Sequence, residues 1–296
     1  MRTAIVAHDA GGAEILSSWV RRQGKADQHS FVLAGPAMKV FERKLGRIEC
    51  LPLDQALAQS DRVLTGTGWQ ATLERNGLAL AAERGLPSAA FIDHWVNYRE
   101  RFACGAGFVW PDEFWLGDEI GLDLARRLLP ERPHRLVANP YFADLRDEIA
   151  ASPQRAGANN GALSILYVCE PIAEHALKQF GDARHWGYTE HDALRFFLDS
   201  VGRLGQPVEG IVIRRHPAEA ADKYLALVDG IELPLTFGGQ RSLIDEVCAS
   251  DVVVGCASMA MVVGLLAGKR VLSTIPPGGG ACALPHPEVA MLRDLR

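Results

Sequence analysis

The residues best suited to chemistry follow an apolar run in the second half of the chain. Residues 210–213 are glycine and β-branched residues, and Arg214, Arg215, His216 and Pro217 come directly after them. Two guanidinium groups can bind a phosphate through paired hydrogen bonds, and an imidazole can add a donor or act as an acid. A solvated strand end gives the same pattern, but three basic groups after so apolar a strand favour an anion site.

A second apolar run, Val252 to Val254, follows Asp251 and ends at Gly255, and Ser258 and Met259 come after it. It predicts a strand that turns into a helix, with Ser258 at the helix N-cap. The N-terminus of a helix also presents free N–H groups to an anion. If both runs are strands of one parallel sheet, they end at the same edge, where open α/β sheets bind ligands. Together they predict a phosphate site.

Two glycine-containing segments in the first half also follow apolar runs. One supplies His8, Asp9, Gly11 and Gly12, and the other supplies Thr67 and Gly68, with Glu74 further along the next predicted helix. Such glycines let a ligand approach the backbone closely, although glycines also simply make tight turns. Asp9 is either a catalytic base or the cap of the following helix. Neither segment has the GxGxxG spacing of a dinucleotide site, so no NAD cofactor is expected.

A dense cluster of polar and aromatic side chains follows the apolar run at residues 88–92. Its members are Asp93, His94, Trp95, Tyr98 and Arg101. A carboxylate beside an imidazole at a strand end could bind a sugar hydroxyl and take its proton. The alternative interpretation is an ordinary amphipathic segment in which Trp95 and Tyr98 pack into the core.

The composition fits a globular protein and argues against several classes of function. The 296 residues carry a net charge of −5 at pH 7, without the basic balance typical of nucleic-acid-binding proteins. Neither a membrane-spanning run nor a signal peptide is recognisable, so we expect a cytoplasmic protein, with peripheral membrane association and oligomeric state left open. The six cysteines lack CxxC spacing, so no disulfide framework is expected. The histidines and acidic residues lack HExxH-type spacing, so no metal site is expected either.

The segments that must position these residues alternate between strand and helix, which predicts right-handed βαβ units and parallel sheets. In the first half we predict strands over residues 3–7, 30–34, 61–65, 88–92 and 114–117, and helices over 15–23, 36–45, 69–84 and 120–129. In the second half we predict strands over residues 163–169, 210–213, 231–235, 251–254 and 270–275, and helices over 191–204, 219–228, 242–249 and from Ser258 onward. Residues 276–287, rich in glycine and proline, are predicted to be a loop.

A polar stretch with several glycines, residues 152–161, predicts a boundary between two domains. The chain is long enough for two cores. We therefore expect two Rossmann-like domains, over residues 1–152 and 162–296.

The run from Gly255 to Val271 resembles the donor-binding strand–helix–strand of the GT-B superfamily, which includes nucleotide-sugar glycosyltransferases and sugar-nucleotide 2-epimerases. In that superfamily a serine-bearing turn is followed by an Ala/Leu-rich helix and Gly-Lys-x-Val, which here begins at Gly268. Many UDP-sugar members carry a glutamate four residues after the serine, and this chain has Val262 there. The turn after the first predicted strand also differs from the Gly-Thr-Arg-Pro-Glu of the epimerases.

The pairing of His216-Pro217 with the downstream Ser258 is similar to that of bacterial sialyltransferases, polysialyltransferases and Kdo transferases. In those enzymes the two motifs hold the phosphate of a CMP-sugar, and a carboxylate of the N-terminal domain is the base. CDP-glycerol-type transferases, which share similar basic residues, remain an alternative.

The resemblance implies a metal-independent GT-B glycosyltransferase of surface polysaccharide biosynthesis, with two Rossmann-like domains facing a central cleft. The C-terminal domain would hold the nucleotide-sugar donor, which is a substrate rather than a cofactor, through Arg214, Arg215, His216, Pro217, Gly255, Ser258 and Met259. The N-terminal domain would bind a glycan acceptor, with Asp9, Asp93 and His94 as catalytic candidates and His8, Gly11, Gly12, Thr67, Gly68, Tyr98 and Arg101 lining the cleft. The alternatives are a UDP-sugar 2-epimerase or hydrolase, a UDP-sugar transferase, and a non-catalytic protein that binds a nucleotide or a sugar.

Overall fold

The computed structural model describes residues 1–24, 28–68, 71–156 and 161–295. The chain divides into two compact units, Met1–Asp144 and Leu145–Arg296. Each unit contains a six-stranded sheet whose strands all pair in parallel. The predicted α/β fold class with two parallel sheets is therefore confirmed. Of the predicted boundary stretch, residues 157–160 lie outside the described residues.

The first unit alternates strands and helices from its first residues. Its strands are β1 (Thr3–Ala7), β2 (His29–Leu33), β3 (Arg62–Thr65), β4 (Ser88–Ile92), β5 (Ala103–Cys104), β6 (Gly107–Phe108), β7 (Glu113–Leu116) and β8 (His134–Leu136). Its helices are α1 (Ala10–Gln23), α2 (Pro36–Leu45), α3 (Leu53–Ala58), α4 (Leu73–Arg84), α5 (Glu119–Leu128) and α6 (Pro140–Ala151), which begins in this unit and ends in the second. The sheet order is β2-β1-β3-β4-β7-β8, and β5 and β6 form a separate antiparallel hairpin.

Both faces of the first sheet are covered, which explains why its strands are almost entirely apolar. On one face Ile5, Leu16 and Phe41 are buried among residues of α1 and α2. On the other face Val6 and Leu57 are buried among residues of α3 and α4. Because the strands are parallel, β1, β3 and β4 end at one edge of the sheet, and the segments that follow them lie side by side there.

Helix α1 begins at Ala10, five residues earlier than predicted, so Gly11 and Gly12 lie in its first turn rather than in a loop. Their small size is needed for packing. A Cβ on Gly12 would lie 3.0 Å from the Cα of Gly66, directly after β3. The helix therefore comes close to the sheet at the edge where the predicted site residues collect. It ends at Gly24, whose φ of +62° is in the left-handed region that favours glycine.

The second unit repeats the arrangement. Its strands are β9 (Leu163–Val168), β10 (Val208–Arg214), β11 (Leu235–Phe237), β12 (Val252–Gly255), β13 (Arg270–Ser273) and β14 (Val289–Met291), in the sheet order β11-β10-β9-β12-β13-β14. Its helices are α7 (Ile172–Phe180), α8 (Glu190–Ser200), α9 (Leu225–Val228), α10 (Leu243–Cys248) and α11 (Met259–Leu266). The core lies between β9, β10 and β12 and helix α8, with Phe197, Ile211 and Val254 fully buried.

Several predicted elements differ from the structure. The predicted helix over residues 219–228 is reduced to α9; before it, Glu219 accepts from the backbone of His216 and Lys223 pairs with Glu190. The strand predicted over residues 231–235 lies further along the chain, as β11. The sequence did not predict α3, α6, α7, β8, β14 or the hairpin. In the part of the chain that the structure describes, no helix combines the length and the apolar character needed to cross a membrane.

Candidate functional site

The turn between β1 and α1 places an imidazole against a carboxylate. The Nδ1 atom of His8 lies 2.7 Å from Oδ1 of Asp9, and the two side chains are 31% and 29% exposed. A carboxylate at Nδ1 fixes the tautomer that carries its proton on this nitrogen and leaves Nε2 as a proton acceptor. In the described residues nothing hydrogen-bonds to Nε2 of His8. The ring lies beside Gly35, where a Cβ would come within 2.6 Å of Nε2.

Glu74, in the first turn of α4, contacts the same turn from the interior. Its Oε1 accepts a hydrogen bond of 2.7 Å from the backbone N–H of His8, and the residue is only 3% exposed. A Cβ on Gly68 would lie 2.7 Å from Oδ2 of Asp9 and 3.0 Å from Oε1 of Glu74, so both carboxyl groups border this glycine. Burial raises the pKa of Glu74, the bond from His8 opposes the rise, and the charge of Asp9 adds to it.

Glu74 was not among the predicted site residues. The sequence places an acidic residue shortly after the Thr65-Gly-Thr-Gly68 segment, and that spacing was the available signal. The predicted helix started at residue 69, which put Glu74 well inside it. Because α4 begins at Leu73, Glu74 lies instead at the edge of the sheet with the other candidates.

Asp93, directly after β4, is paired with Arg101. Nη1 of Arg101 lies 2.6 Å from Oδ1 of Asp93, and the two side chains are only 7% and 15% exposed. The same nitrogen donates to the backbone carbonyl of Thr67 at 2.9 Å and to its hydroxyl at 3.0 Å. Arg101 therefore joins the segments that follow β3 and β4. The other oxygen of Asp93 faces Gly11 of α1, where any side chain would clash with it.

Two other predicted residues of the first unit lie in a different environment. Tyr98 is 2% exposed and donates its hydroxyl proton to the carbonyl of Gly121 at 3.2 Å, so it packs in the core. Burial raises the pKa of Tyr98. Nδ1 of His94 accepts a hydrogen bond from the backbone N–H of Trp95 at 3.0 Å. The cavity that Asp93, His94 and Tyr98 share with other residues measures about 10 Å³, room for a water but not for a sugar.

In the second unit both predicted phosphate-binding arginines hold neighbouring loops. Nη1 of Arg214 lies 2.7 Å from Oε2 of Glu246 and donates to the backbone carbonyl of Arg241 at 3.0 Å. Arg215 donates to the backbone carbonyl of Ala221, and its guanidinium lies 5.4 Å from the ring centre of Phe237. Their charges therefore stabilise the surroundings of β10 in this structure.

His216, the residue before Pro217, is positioned as a hydrogen-bond donor. Its backbone N–H donates to Oε2 of Glu219 at 2.9 Å, and its Nδ1 accepts from the backbone N–H of Ala218 at 3.2 Å. This bond places the ring proton on Nε2. Burial lowers the pKa of His216, so the ring is neutral at neutral pH. Nε2 can then donate a hydrogen bond to an anion.

Behind His216, Lys223 lies among the carboxylates of Glu190, Glu219 and Glu174, at 2.6, 2.9 and 3.1 Å. Burial acts to lower the pKa of Lys223, but the hydrogen bonds that its ammonium donates to these carboxylates raise that pKa overall. Tyr224 adds a bond of 2.6 Å to Glu219. This network fixes the turn that carries His216.

Ser258 caps α11, as the sequence predicts, because its Oγ accepts a hydrogen bond of 3.2 Å from the N–H of Ala260. The N–H groups of Cys256 and Ala257, between Gly255 and the cap, already have an acceptor. They donate to Oε1 of Glu170, after β9, at 2.8 and 2.9 Å. Burial raises the pKa of Glu170, and these bonds oppose the rise. A carboxyl group of the chain itself thus fills part of the predicted anion position.

The described ranges, with their gaps at residues 25–27, 69–70, 157–160 and 296, contain no group of three or more His, Cys, Asp or Glu side chains that could hold a metal ion. The six cysteines are unpaired.

Comparison with known proteins gives matches at the level of structure. No protein-family model matches the chain, and a search of curated proteins finds no match. UDP-GlcNAc 2-epimerase from Methanocaldococcus jannaschii superimposes with a TM-score of 0.59 at 10% identity, over 92% of this chain and 83% of that one. MurG from Acinetobacter baumannii gives a TM-score of 0.51 at 14% identity, over 93% and 78% of the two chains. The glycotransferase of kitacinnamycin gives 0.54 at 13% identity, over 96% and 81%.

At these identities the likeness concerns the fold, and it confirms the GT-B fold that the resemblance implies. A glycotransferase and an epimerase both occur among the three structures, so the fold does not separate the two kinds of enzyme. The closeness to CMP-sugar transferases stays a prediction.

Proposed function

We propose that this protein is an enzyme that acts on a nucleotide sugar, and that it is a glycosyltransferase of the GT-B type. The observation that carries the proposal is the pair of His8 and Asp9 at the edge of the first sheet. Among the residues that the structure describes, the proton-accepting nitrogen of His8 has no hydrogen-bond partner, and Gly35 and Gly68 border the pair. The names of the compared structures support a nucleotide-sugar substrate, since one is a UDP-GlcNAc 2-epimerase and another a glycotransferase.

In the proposed reaction His8 is the general base. Its Nε2 takes the proton of an acceptor hydroxyl while the hydroxyl oxygen forms a bond to the anomeric carbon of the donor. The bond between this carbon and the phosphate oxygen breaks, and its electron pair leaves with the nucleotide. Asp9 orients the ring and stabilises the imidazolium that forms. This assigns Asp9 a supporting role and differs from the sequence prediction, which made Asp9 or Asp93 the base.

Asp93 serves differently in this proposal. Its charge is balanced by Arg101, and the same guanidinium holds the backbone after β3. We propose that Asp93 and Arg101 hold the segments after β3 and β4 in place beneath the acceptor site.

For the donor we propose the second unit, in line with the predicted division of the chain. His216 would donate from Nε2 to a phosphate oxygen, and Ser258 and Met259 would present the first turn of α11. Glu170 must shift or share its position when the phosphate enters, because it holds two N–H groups of that turn. CMP is the predicted nucleotide, whereas the name of one compared structure, the UDP-GlcNAc 2-epimerase of Methanocaldococcus jannaschii, contains UDP.

The test is nucleotide release from CMP-, CDP-, UDP- and GDP-sugars, measured with and without glycan acceptors. We expect release that depends on an acceptor and that falls by about a hundred- to ten-thousand-fold in His8→Asn. His185→Asn, in an exposed histidine of the second unit, is the matched control and should retain the rate. Absence of release from every sugar nucleotide, with nucleotides still bound, would favour the non-catalytic alternative and overturn the proposal.

The second candidate is a UDP-sugar 2-epimerase or hydrolase. The likeness to structures of UDP-GlcNAc 2-epimerases, with TM-scores of 0.59 and 0.56 in two cases, is the observation in its favour. It predicts turnover of UDP-GlcNAc with no acceptor present. Acceptor-independent turnover would therefore replace the transferase with this alternative.

A further inference from the structure

We propose that Glu74 is a positioning residue that holds a proton beside the pair of His8 and Asp9, and that it sets the pH range in which His8 acts. The second half of this inference rests on the proposed function, while the first half concerns the protein alone.

The first step is the burial of Glu74. The residue is 3% exposed, and only Oε1 has a partner, the backbone N–H of His8. Oε2 is enclosed without a hydrogen-bond partner in the described residues. A buried carboxylate with one oxygen that accepts no hydrogen bond is costly, whereas a protonated carboxyl group loses much less when it leaves water. The geometry therefore favours the protonated form.

The second step concerns the charges around Glu74. His8 and Asp9 face it from the β1–α1 turn, and Gly66 and Gly68 face it from the segment after β3 without side chains. Arg75, its neighbour on α4, donates to the backbone carbonyl of Arg101 at 3.3 Å. Asp93, by contrast, has Arg101 at 2.6 Å.

The three carboxyl groups at this edge thus differ in their partners. Asp93 lies beside the guanidinium of Arg101, and Asp9 lies beside the imidazole of His8. Glu74 differs from both, because its Oε2 is enclosed without a partner among the described residues, and its burial, together with the charge of Asp9, raises the pKa of Glu74. Glu74 is close enough to the pair of His8 and Asp9 for a charge on one to affect the other. The protonation of His8 therefore depends on the protonation of Glu74.

This coupling has a use in the proposed reaction. When His8 takes up a proton, the new positive charge favours the loss of a proton from Glu74. When His8 is neutral, Glu74 carries its proton again. The net charge of the whole site then changes less than the charge of His8 alone. As a result, His8 can act as a base over a wider pH range.

The experiment follows the carboxyl carbon of Glu74 by NMR in protein labelled with ¹³C at the glutamate side chains. The signal is identified by its absence in Glu74→Gln, whose amide oxygen can still accept the bond from His8. We expect the midpoint of the Glu74 titration to lie at higher pH than that of the exposed glutamates. In Asp9→Asn we expect this midpoint to move to lower pH. Asp123→Asn removes an exposed carboxylate elsewhere on the unit and should cause no shift.

A Glu74 signal that titrates with the exposed glutamates would overturn the inference, and wild-type protein decides this even if Asp9→Asn fails to fold. Where turnover is found, Glu74→Gln should narrow the pH profile of kcat, and an unchanged profile would refute the coupling to His8. Absence of turnover in every variant would refute the proposed function and leave the NMR result as a separate finding.

Discussion

Oε1 of Glu170 accepts a hydrogen bond of 2.9 Å from the backbone N–H of Ala257, and in this way a residue at the end of β9 closes the turn before α11. Turns of this kind attract anions because their N–H groups point outward. Here the chain supplies the anion itself. The turn is therefore ordered before any ligand arrives, and a ligand phosphate has to compete with a carboxylate.

This competition predicts that Glu170→Gln binds nucleotides more tightly than the wild type. The amide oxygen still accepts a hydrogen bond from Cys256 or Ala257, so the turn should keep its shape, while the negative charge that repels a phosphate is lost. We expect UDP or CMP to bind about tenfold more tightly, a difference of about 1.4 kcal/mol in calorimetric titrations. Weaker binding in Glu170→Gln would show that the carboxylate takes part in holding the ligand.

A second prediction concerns Arg101, which joins Asp93 to the backbone at Thr67. Arg101→Met leaves a largely buried carboxylate without its partner, and breaking such a pair typically costs about 3–5 kcal/mol of the free energy of unfolding. Urea denaturation measures this loss. Arg126→Met breaks the exposed pair with Asp123 and should cost no more than about 1 kcal/mol. Equal losses in the two variants would mean that the burial of Asp93 contributes nothing.

The fold could be predicted largely because buried parallel strands are apolar along their whole length and helices often begin and end at typical residues. The helix over residues 36–45 is confirmed without change, with Pro36 at its first position and Gly46 after its end. The predicted start of α1 was wrong because Gly11 and Gly12, which lie in the helix, are residues typical of loops. Their packing against Asp93 and Gly66 depends on residues far away in sequence, which the local pattern does not contain.

The site could be predicted in part for the same reason. His8, Thr67 and Asp93 all follow apolar strands, and parallel strands bring such residues to one edge. The partners of each charge were not predictable. Glu246, which pairs with Arg214, comes 32 residues later on another element, and nothing in the local sequence indicates that the two meet.

A third prediction concerns the pH dependence of stability. Because the pKa of Glu74 is raised in the folded protein, its contribution to the free energy of unfolding is fully present below the unfolded value, about 4.3. That contribution is lost as the pH rises through the folded pKa. Chemical denaturation at a series of pH values should show this decline in the wild type and a flatter profile in Glu74→Gln. Parallel profiles would place the origin of the decline in another group.

A fourth prediction concerns the donor site and His216. Because burial lowers the pKa of His216, its ring donates a hydrogen bond as a neutral group, and nucleotide binding should change little between about pH 7 and 8. CMP, CDP, UDP and GDP are compared by thermal unfolding, where a ligand at about a hundred times its dissociation constant adds about 2.7 kcal/mol. We expect His216→Ala to lose the stabilisation that the preferred nucleotide gives, and His185→Ala to retain it.

Preference for CMP would support a sialyl- or Kdo-type donor, and preference for UDP would support a UDP-sugar. If the nucleotide stabilised His216→Ala as much as the wild type, the His216 ring would not contact the phosphate, and the phosphate would be held by other residues.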